Sequence, residues 1–550
     1  MERSRYSNVM VLLIIGIIVL LVMLPRLISA QFGFFDDTET ILTSRRIING
    51  NWSPGEESGG GRFRPIYWLY YATLYRLAGE NPLCFFIGNA ILLIISIYLL
   101  FRLVDLLTGN ITQAWIAAAL FFSSGSIIEN VYTLSKPELL QVTFLLMSVL
   151  SVVLSVNDDR PNRRIGWKVI SILSIVLACL TKETALILFP ISVLWFNLAW
   201  LRIKLVSSGR DCLYQIAKTF LVSSCIGSLA YLIMRSFYLP FGLVSMGYSS
   251  QYNFDISYIL TISRIWLDLL LWDFLYIVPL SIPALSILLR KSRTTSYSMI
   301  FPALIWMFIW VAIYIPWQFT QVYYLLPFAL GASVLTSVLV QINLEEIRGI
   351  SSRSRVIGLC CLSLAIVIFV LTIPNNVTNA RLQLAVDASN NDMLNYVLGD
   401  FSQNAVVVMN IQEINEYVRQ FPPLVNQLRG RPDLAIKFFQ DVQTENDASG
   451  NSDVYYLLPV VKNQFYPSVR MGVYEHTSRS WNQSLLNAWP SKAGLIYRVE
   501  KTFRSFSVDS LRLACPLLRK FTYCDVPNTP FDRRVFSYGW DIYRLESTQE

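Results

Sequence analysis

Long apolar runs recur along this chain, among them Val9 to Leu24, Ile91 to Leu100, Ile300 to Ile315 and Val356 to Ile373. A bilayer crossing takes about 20 residues of helix, and lipid offers no partner to an unpaired backbone group. Runs of this kind, set side by side, allow little besides a bundle of spanning helices. The apolar pattern gives about eleven of them, near 8–30, 83–104, 112–128, 138–156, 166–181, 184–201, 216–236, 263–290, 298–316, 323–342 and 355–373. With 54% hydrophobic and 15% charged residues in 550, and a mean hydropathy of +0.46, the chain lies outside the range of soluble domains. The first run exceeds a signal-peptide core and has no clear small-x-small site after it, so it is read as a retained helix.

The net charge of +8 does not point to nucleic acid, because the basic residues sit mostly in short loops between apolar runs. Arg3 and Arg5 precede the first helix, and Arg160, Arg163, Arg164 and Lys168 lie between the fourth and fifth. Arg202, Lys204 and Arg210 follow the sixth, Arg290, Lys291 and Arg293 the eighth, and Arg348, Arg353 and Arg355 the tenth. All fall on one side, which the positive-inside rule makes the cytoplasm. The expectation is a multi-pass protein of the plasma (inner) membrane, N-terminus inside and everything after the eleventh helix outside. From about Pro374 hydropathy falls, and strand-like segments (Ala405 to Met409, Val454 to Leu458) mix with helical ones (Met393 to Gly399). The expected fold class is therefore a polytopic α-helical membrane protein, residues 1–373 with a first outer loop at 31–82, followed by a soluble extracytoplasmic α/β domain at 374–550. The segments Ser53 to Gly61 and Asn446 to Ser452 read as loops. Of eight cysteines, Cys84, Cys179, Cys225, Cys360 and Cys361 lie in apolar segments with Cys212 just outside one, and suggest no metal. Cys515 and Cys524 flank a polar stretch of the outer domain and are expected to form a disulfide.

Four polar clusters fall on the outer face. The first loop opens with Phe34-Phe35-Asp36-Asp37-Thr38-Glu39 and returns through Arg62-Phe63-Arg64-Pro65, with Tyr67 just beyond. Paired acids at the water boundary suit general-base work or a cation site, and solvated loop acids are the bland alternative. The next outer loop carries Glu129, Asn130, Lys136, Pro137 and Glu138. Between the fifth and sixth helices stands Thr181-Lys182-Glu183-Thr184, a charged pair in apolar surroundings that needs partners: each other, water, or a phosphate met by Lys182 with Glu183 orienting it. Before the tenth helix come Trp317, Gln318, Tyr323, Tyr324 and Pro327, which an aromatic belt alone could explain. None of these clusters entered the assignment of sidedness, yet all four land together.

In this order and sidedness the motifs resemble those of the GT-C glycosyltransferases, which use polyprenyl-phosphate sugars and include protein O-mannosyltransferases and the lipid A aminoarabinose transferase. The matching parts are Asp36-Asp37, Arg64-Pro65, Lys182-Glu183, and Tyr323-Tyr324 before Pro327, within the membrane region to about residue 373. The resemblance implies that Asp36 is the base activating an acceptor hydroxyl, with Asp37 its neighbour, and that Arg64 and Lys182 hold the donor phosphate. Lys136 is a further candidate cation, and Glu129, Glu183, Tyr67, Gln318, Tyr323 and Tyr324 are candidate pocket residues. A divalent cation at Asp36 and Asp37 is left open. Asp-Asp stands where many members have Asp-Glu, and one proline follows Arg64 where two are common, so the relatives' donor and acceptor classes do not carry over.

The chemistry also stands without the resemblance. No Gly-rich phosphate cradle and no large cytoplasmic domain offers a nucleotide site, so an activated sugar must arrive through the membrane on a lipid phosphate. Loss of that phosphate needs fixed cations in a poorly hydrated pocket, and a carboxylate on the far side of the sugar would accept the acceptor's proton, giving inversion. The expected partners are a polyprenyl-phosphate sugar, a glycan, lipid or protein acceptor, and membrane lipids, with no nucleic acid. The alternatives are a lipid-linked-sugar flippase or transporter, which would carry ionisable groups near the midplane and paired broken helices in two related halves, and a membrane-anchored binding protein. The lone histidine, His476, is read as structural or surface, not catalytic.

Overall fold

The computed structural model describes residues 2–34, 36–55, 62–206, 212–238, 252–289, 299–317, 321–348, 352–409, 421–438, 453–462, 493–504, 507–508, 531–532 and 535–545. Gln318, His476, Cys515, Cys524 and the Asn446 to Ser452 segment lie outside them. The helices are α1 (Glu2–Ile28), α2 (Asp37–Ile48), α3 (Pro65–Ala78), α4 (Pro82–Thr108), α5 (Ile111–Phe122), α6 (Gly125–Tyr132), α7 (Glu138–Asn157) and α8 (Pro161–Thr181). They continue with α9 (Leu188–Val206), α10 (Cys212–Tyr238), α11 (Ile256–Phe274), α12 (Ile277–Leu289), α13 (Ile300–Ala312), α14 (Leu326–Arg348) and α15 (Ser352–Asp400). Several starts are written in the sequence. Proline occupies the first helical position of α3, α4 and α8, where its missing N–H costs nothing, and Asn81 and Asn110 cap α4 and α5 with side-chain oxygens.

The polytopic helical architecture is as expected, and each apolar run is occupied by helix. By length and composition eight helices among the described residues suffice to cross a bilayer, or nine if the bent pair α5 and α6 counts as one. The expected eighth span is two helices, α11 and α12, and its first half carries Arg264, Asp268 and Asp273. The ninth, α13, has 13 residues and would rise only about 20 Å. The third bends by 57° between α5 and α6. There Ser123 and Ser124 donate from their hydroxyls to the carbonyls of Leu120 and Phe121, and Asp273 accepts from the backbone N–H of Gly125 at 2.9 and 3.0 Å. A Cβ at Gly125 would lie 3.1 Å from Asn376 Oδ1, so that side chain would have to give way by a few tenths of an ångström.

Beyond the bundle a five-stranded sheet is built from β1 (Val406–Met409), β2 (Ala435–Phe438), β3 (Val454–Lys462), β4 (Ala493–Arg504) and β7 (Val535–Leu545), in the order β2-β1-β3-β7-β4. β1 runs parallel to β2 and β3, whereas β7 is antiparallel to β3 and β4. A separate pair joins β5 (Ser507–Val508) to β6 (Phe531–Asp532). The helical stretch expected at Met393 to Gly399 is the end of α15, which runs unbroken for 49 residues from the bundle to the sheet. Asn390 on this helix accepts from Tyr538 Oη (3.2 Å) and Trp540 Nε1 (3.0 Å) of β7.

Candidate active site

The loop after α1 is shaped by two residues in the left-handed backbone region, Asp36 (φ 63°) and, facing it from the loop between α6 and α7, Ser135 (φ 62°). Such a conformation is costly for residues other than glycine and persists where surrounding contacts enforce it. Here Asp37 supplies them. Its carboxylate is buried and accepts from the Gly33 amide at 2.6 Å and from Ser135 Oγ at 2.9 Å, while Thr40 Oγ1 donates to Ser135 Oγ at 2.8 Å. The Ser135 amide in turn donates to Tyr71 Oη at 2.9 Å. Adjacent in sequence, the two acids are thus unlike in space. Asp37 knits two loops together, and Asp36, with 31% of its side chain exposed, turns to Lys136 at 3.3 Å.

Lys136 is buried and sits 4.5 Å from the centre of the Tyr323 ring. On the far side of the Tyr323-Tyr324 turn lies a second cation, Lys182, 4.3 Å from the Tyr324 ring and 5.6 Å from that of Tyr314. It is ion-paired with Glu138, whose side chain is fully buried at the start of α7. Gln141, one turn along α7, donates to the Lys182 carbonyl at 2.9 Å and to Thr184 Oγ1 at 3.1 Å. Tyr314 and Tyr324 stack with centroids 4.7 Å apart, so ring faces line both lysines, and attraction to those faces supports a cation where water is scarce. Glu138 Oε2 and Glu183 Oε2 are buried and have no hydrogen-bond partner among the described residues.

Arg64 is the residue before α3, its guanidinium 5.1 Å from the Tyr67 ring centre and 6.0 Å from that of Trp68. The preceding Phe63 is buried against Tyr231 and stacks on Tyr238 of α10, which fixes the return of the loop. Tyr67 is buried with Thr40 Oγ1 3.4 Å from its hydroxyl; burial pushes its phenol far above the ordinary value, against the pull of the Arg64 charge. It is therefore a neutral hydrogen-bonding group. Glu129 and Asn130 are buried on α6, and Asn130 Nδ2 donates to the Tyr323 carbonyl at 3.3 Å.

Asp36, Asp37, Lys136, Lys182, Tyr323 and Tyr324, drawn from four separated segments, thus come together. Ser135, Tyr71, Thr40, Glu138, Gln141 and Tyr314 join them without having been singled out as site residues. Glu138 carried the one usable signal, a carboxylate at the first position of an otherwise apolar helix. The residues do not fit a divalent-cation site: both Asp37 oxygens accept hydrogen bonds from Gly33 and Ser135 and Asp36 is bridged to Lys136. Among the described residues no group of three or more His, Cys, Asp or Glu side chains gathers around one point.

Residues 65–210 match the family model described as dolichyl-phosphate-mannose-protein mannosyltransferase. The GT-C resemblance holds. The matched segment takes in Tyr67, Glu129, Lys136, Glu138, Lys182 and Glu183, and begins just after Arg64. No curated protein matches the chain. Among solved structures, ArnT from Cupriavidus metallidurans bound to undecaprenyl phosphate is similar at 11% identity and a TM-score of 0.48, over 90% of this chain and 96% of that one. The apo oligosaccharyltransferase of Archaeoglobus fulgidus is similar at 13% identity and a TM-score of 0.49, over 82% of this chain and 69% of that one.

Proposed function

We propose that this protein is an inverting glycosyltransferase that moves a sugar from a polyprenyl-phosphate donor to an acceptor hydroxyl at the extracytoplasmic face of the plasma membrane. The observation that carries this reading is the meeting of Asp36, Lys136 and Lys182 around the Tyr323-Tyr324 turn. Two cations set on aromatic faces, a few residues from a partly exposed carboxylate, are what departure of a phosphate and deprotonation of a hydroxyl require. The family description, which names a lipid-phosphate sugar, agrees with such a donor.

In this reading Lys182 and Lys136, with Arg64 at the loop's return, hold the donor phosphate and take up the charge that develops as the glycosidic bond breaks. Lys136 is bridged to Asp36 in the donor-free protein. When Lys136 turns to the phosphate, the Asp36 carboxylate is freed to face the acceptor and accepts the proton of the attacking hydroxyl from the face opposite the leaving group. Asp37 holds the loop, and the inward Glu138 and Glu183 oxygens are suited to accept from sugar hydroxyls. Residues 1–373 form the catalytic membrane unit and 374–550 an outer domain, with the N-terminus in the cytoplasm.

The test is transfer by the purified full-length protein offered a panel of polyprenyl-phosphate sugars. Wild type is expected to break the glycosidic bond, and Asp36→Asn, nearly isosteric but unable to accept the proton, to lose at least about 10²-fold in kcat while still binding donor. Transfer by Asp36→Asn at the wild-type rate would remove it as the base. Movement of the intact lipid across the bilayer without cleavage would favour a flippase instead.

A further inference from the structure

Phe34 lies two residues before Asp36, yet its side chain does not belong to the membrane bundle. It is buried in the core of the outer domain, among Leu382 and Val386 of α15 and Phe421, whose ring centre is 5.6 Å away. Around it the loop is tied to the same helix by buried polar contacts. Arg26, at the end of α1, pairs with Asp387 of α15 at 2.5 Å, both side chains almost wholly buried, and donates to the Gln31 carbonyl at 3.2 Å. Asn391, one turn further on, donates to the Phe32 carbonyl at 3.0 Å. Asn390 accepts from Tyr538 and Trp540 of β7 on the same stretch of helix. A second contact comes from Leu428, in the helical turn Leu424–Leu428, which packs on the cluster containing Phe32, Ile41, Tyr67 and Tyr71.

Contacts therefore run from the sheet through Asn390, Asp387 with Arg26, and Asn391 to the carbonyls of Gln31 and Phe32, and the Phe34 side chain is held in the same core two residues before Asp36. We infer that the outer domain is a positioning element for the reaction, with Phe34, clamped by α15 and seconded by the Arg26–Asp387 pair, setting the place of Asp36. This rests on the reading of Asp36 as the base. Phe34 touches no reacting group; it acts through the two peptide units between it and Asp36. Asp37 holds the loop on one side of Asp36 and Phe34 on the other, and displacement of a reacting group by about 1 Å can cost on the order of 10²-fold in rate. Anchoring in that core also accounts for a large aromatic side chain buried against α15 and the sheet.

The experiment uses full-length protein in nanodiscs and the variants Phe34→Ala, Phe34→Leu and Asp387→Asn. Hydrogen exchange at amides 33–40 is expected to rise in Phe34→Ala by more than in β1, β3 and β7, whose side chains share its core, with exchange in α14 unchanged. Transfer is expected to fall about ten- to a hundred-fold in kcat, with binding of undecaprenyl phosphate held within about threefold, because the cations are untouched. Phe34→Leu should recover much of both, which supplies a test if the Ala variant fails to accumulate. Unchanged kcat and unchanged exchange in Phe34→Ala would overturn the proposal, as would a rise in exchange spread evenly over the sheet and bundle, the mark of a merely structural role. Should Asp36→Asn prove fully active, the catalytic reading fails by itself, and the exchange pattern still reports whether Phe34 orders the loop.

Discussion

Lys182 and Glu138 show how a residue's chemistry depends on which neighbour the fold supplies. In the sequence Lys182 stands beside Glu183, and a self-neutralising pair is the simplest reading. The backbone at Lys182 is extended (φ −157°, ψ 125°), which ends α8, and consecutive side chains leave an extended backbone in opposite directions. Lys182 thus reaches Glu138, 44 positions earlier. A buried charge that loses its partner is costly, so Lys182→Gln is expected to destabilise the protein by about 3–5 kcal/mol in addition to weakening donor use, whereas Lys182→Gln combined with Glu138→Gln should regain most of that stability. Thermal unfolding in detergent checks it; a double variant as unstable as the single would mean the pair is not the coupled unit described. The same scale marks the limit of the sequence reading at Asp36 and Asp37. Composition and position named both acids, but only the folded loop separates a carboxylate held by Gly33 and Ser135 from one turned to Lys136.

Apolar runs told where helices lie, because lipid and helix demand the same residues; they did not tell where helices break. The run at 112–128 reads as one span, yet Ser123 and Ser124 offer their hydroxyls to the preceding turn, and Asp273 takes the freed amide of Gly125. That carboxylate comes from α11, 148 residues away, and no local pattern encodes it. The break matters because α6 carries Glu129 and Asn130 and meets the Tyr323 carbonyl. Gly125→Ala would push a methyl group onto Asn376 and is expected to cost about 1–3 kcal/mol, read as a lower unfolding temperature. A variant of wild-type stability would show that the bend tolerates a side chain.

For the molecule as a whole, the charged loops and the sheet carry the arrangement in the membrane. A reporter active only outside the cytoplasm, fused after Asp400, is expected to work; activity confined to a cytoplasmic reporter would reverse the proposed sidedness. The fall in hydropathy at Pro374 does not mark the end of a helix, which continues to Asp400. Asn375, Thr378, Asn379, Gln383, Asp387 and Asn390 are buried on the continuing helix, so polarity there reflects protein neighbours in place of lipid. The outer strands were legible from runs such as Val406 to Met409, buried along their whole length, whereas the pairing order β2-β1-β3-β7-β4 depends on contacts far apart in sequence. The unbroken α15 makes the two halves of the protein behave like a key cut to one rotation. Each residue of an α-helix turns it by about 100° and lengthens it by about 1.5 Å. One residue added between the bundle and Leu382 would swing Val386 and Asp387 away from the first loop together. An insertion at this joint keeps the first loop and the helix in register only if it restores the phase of the helix.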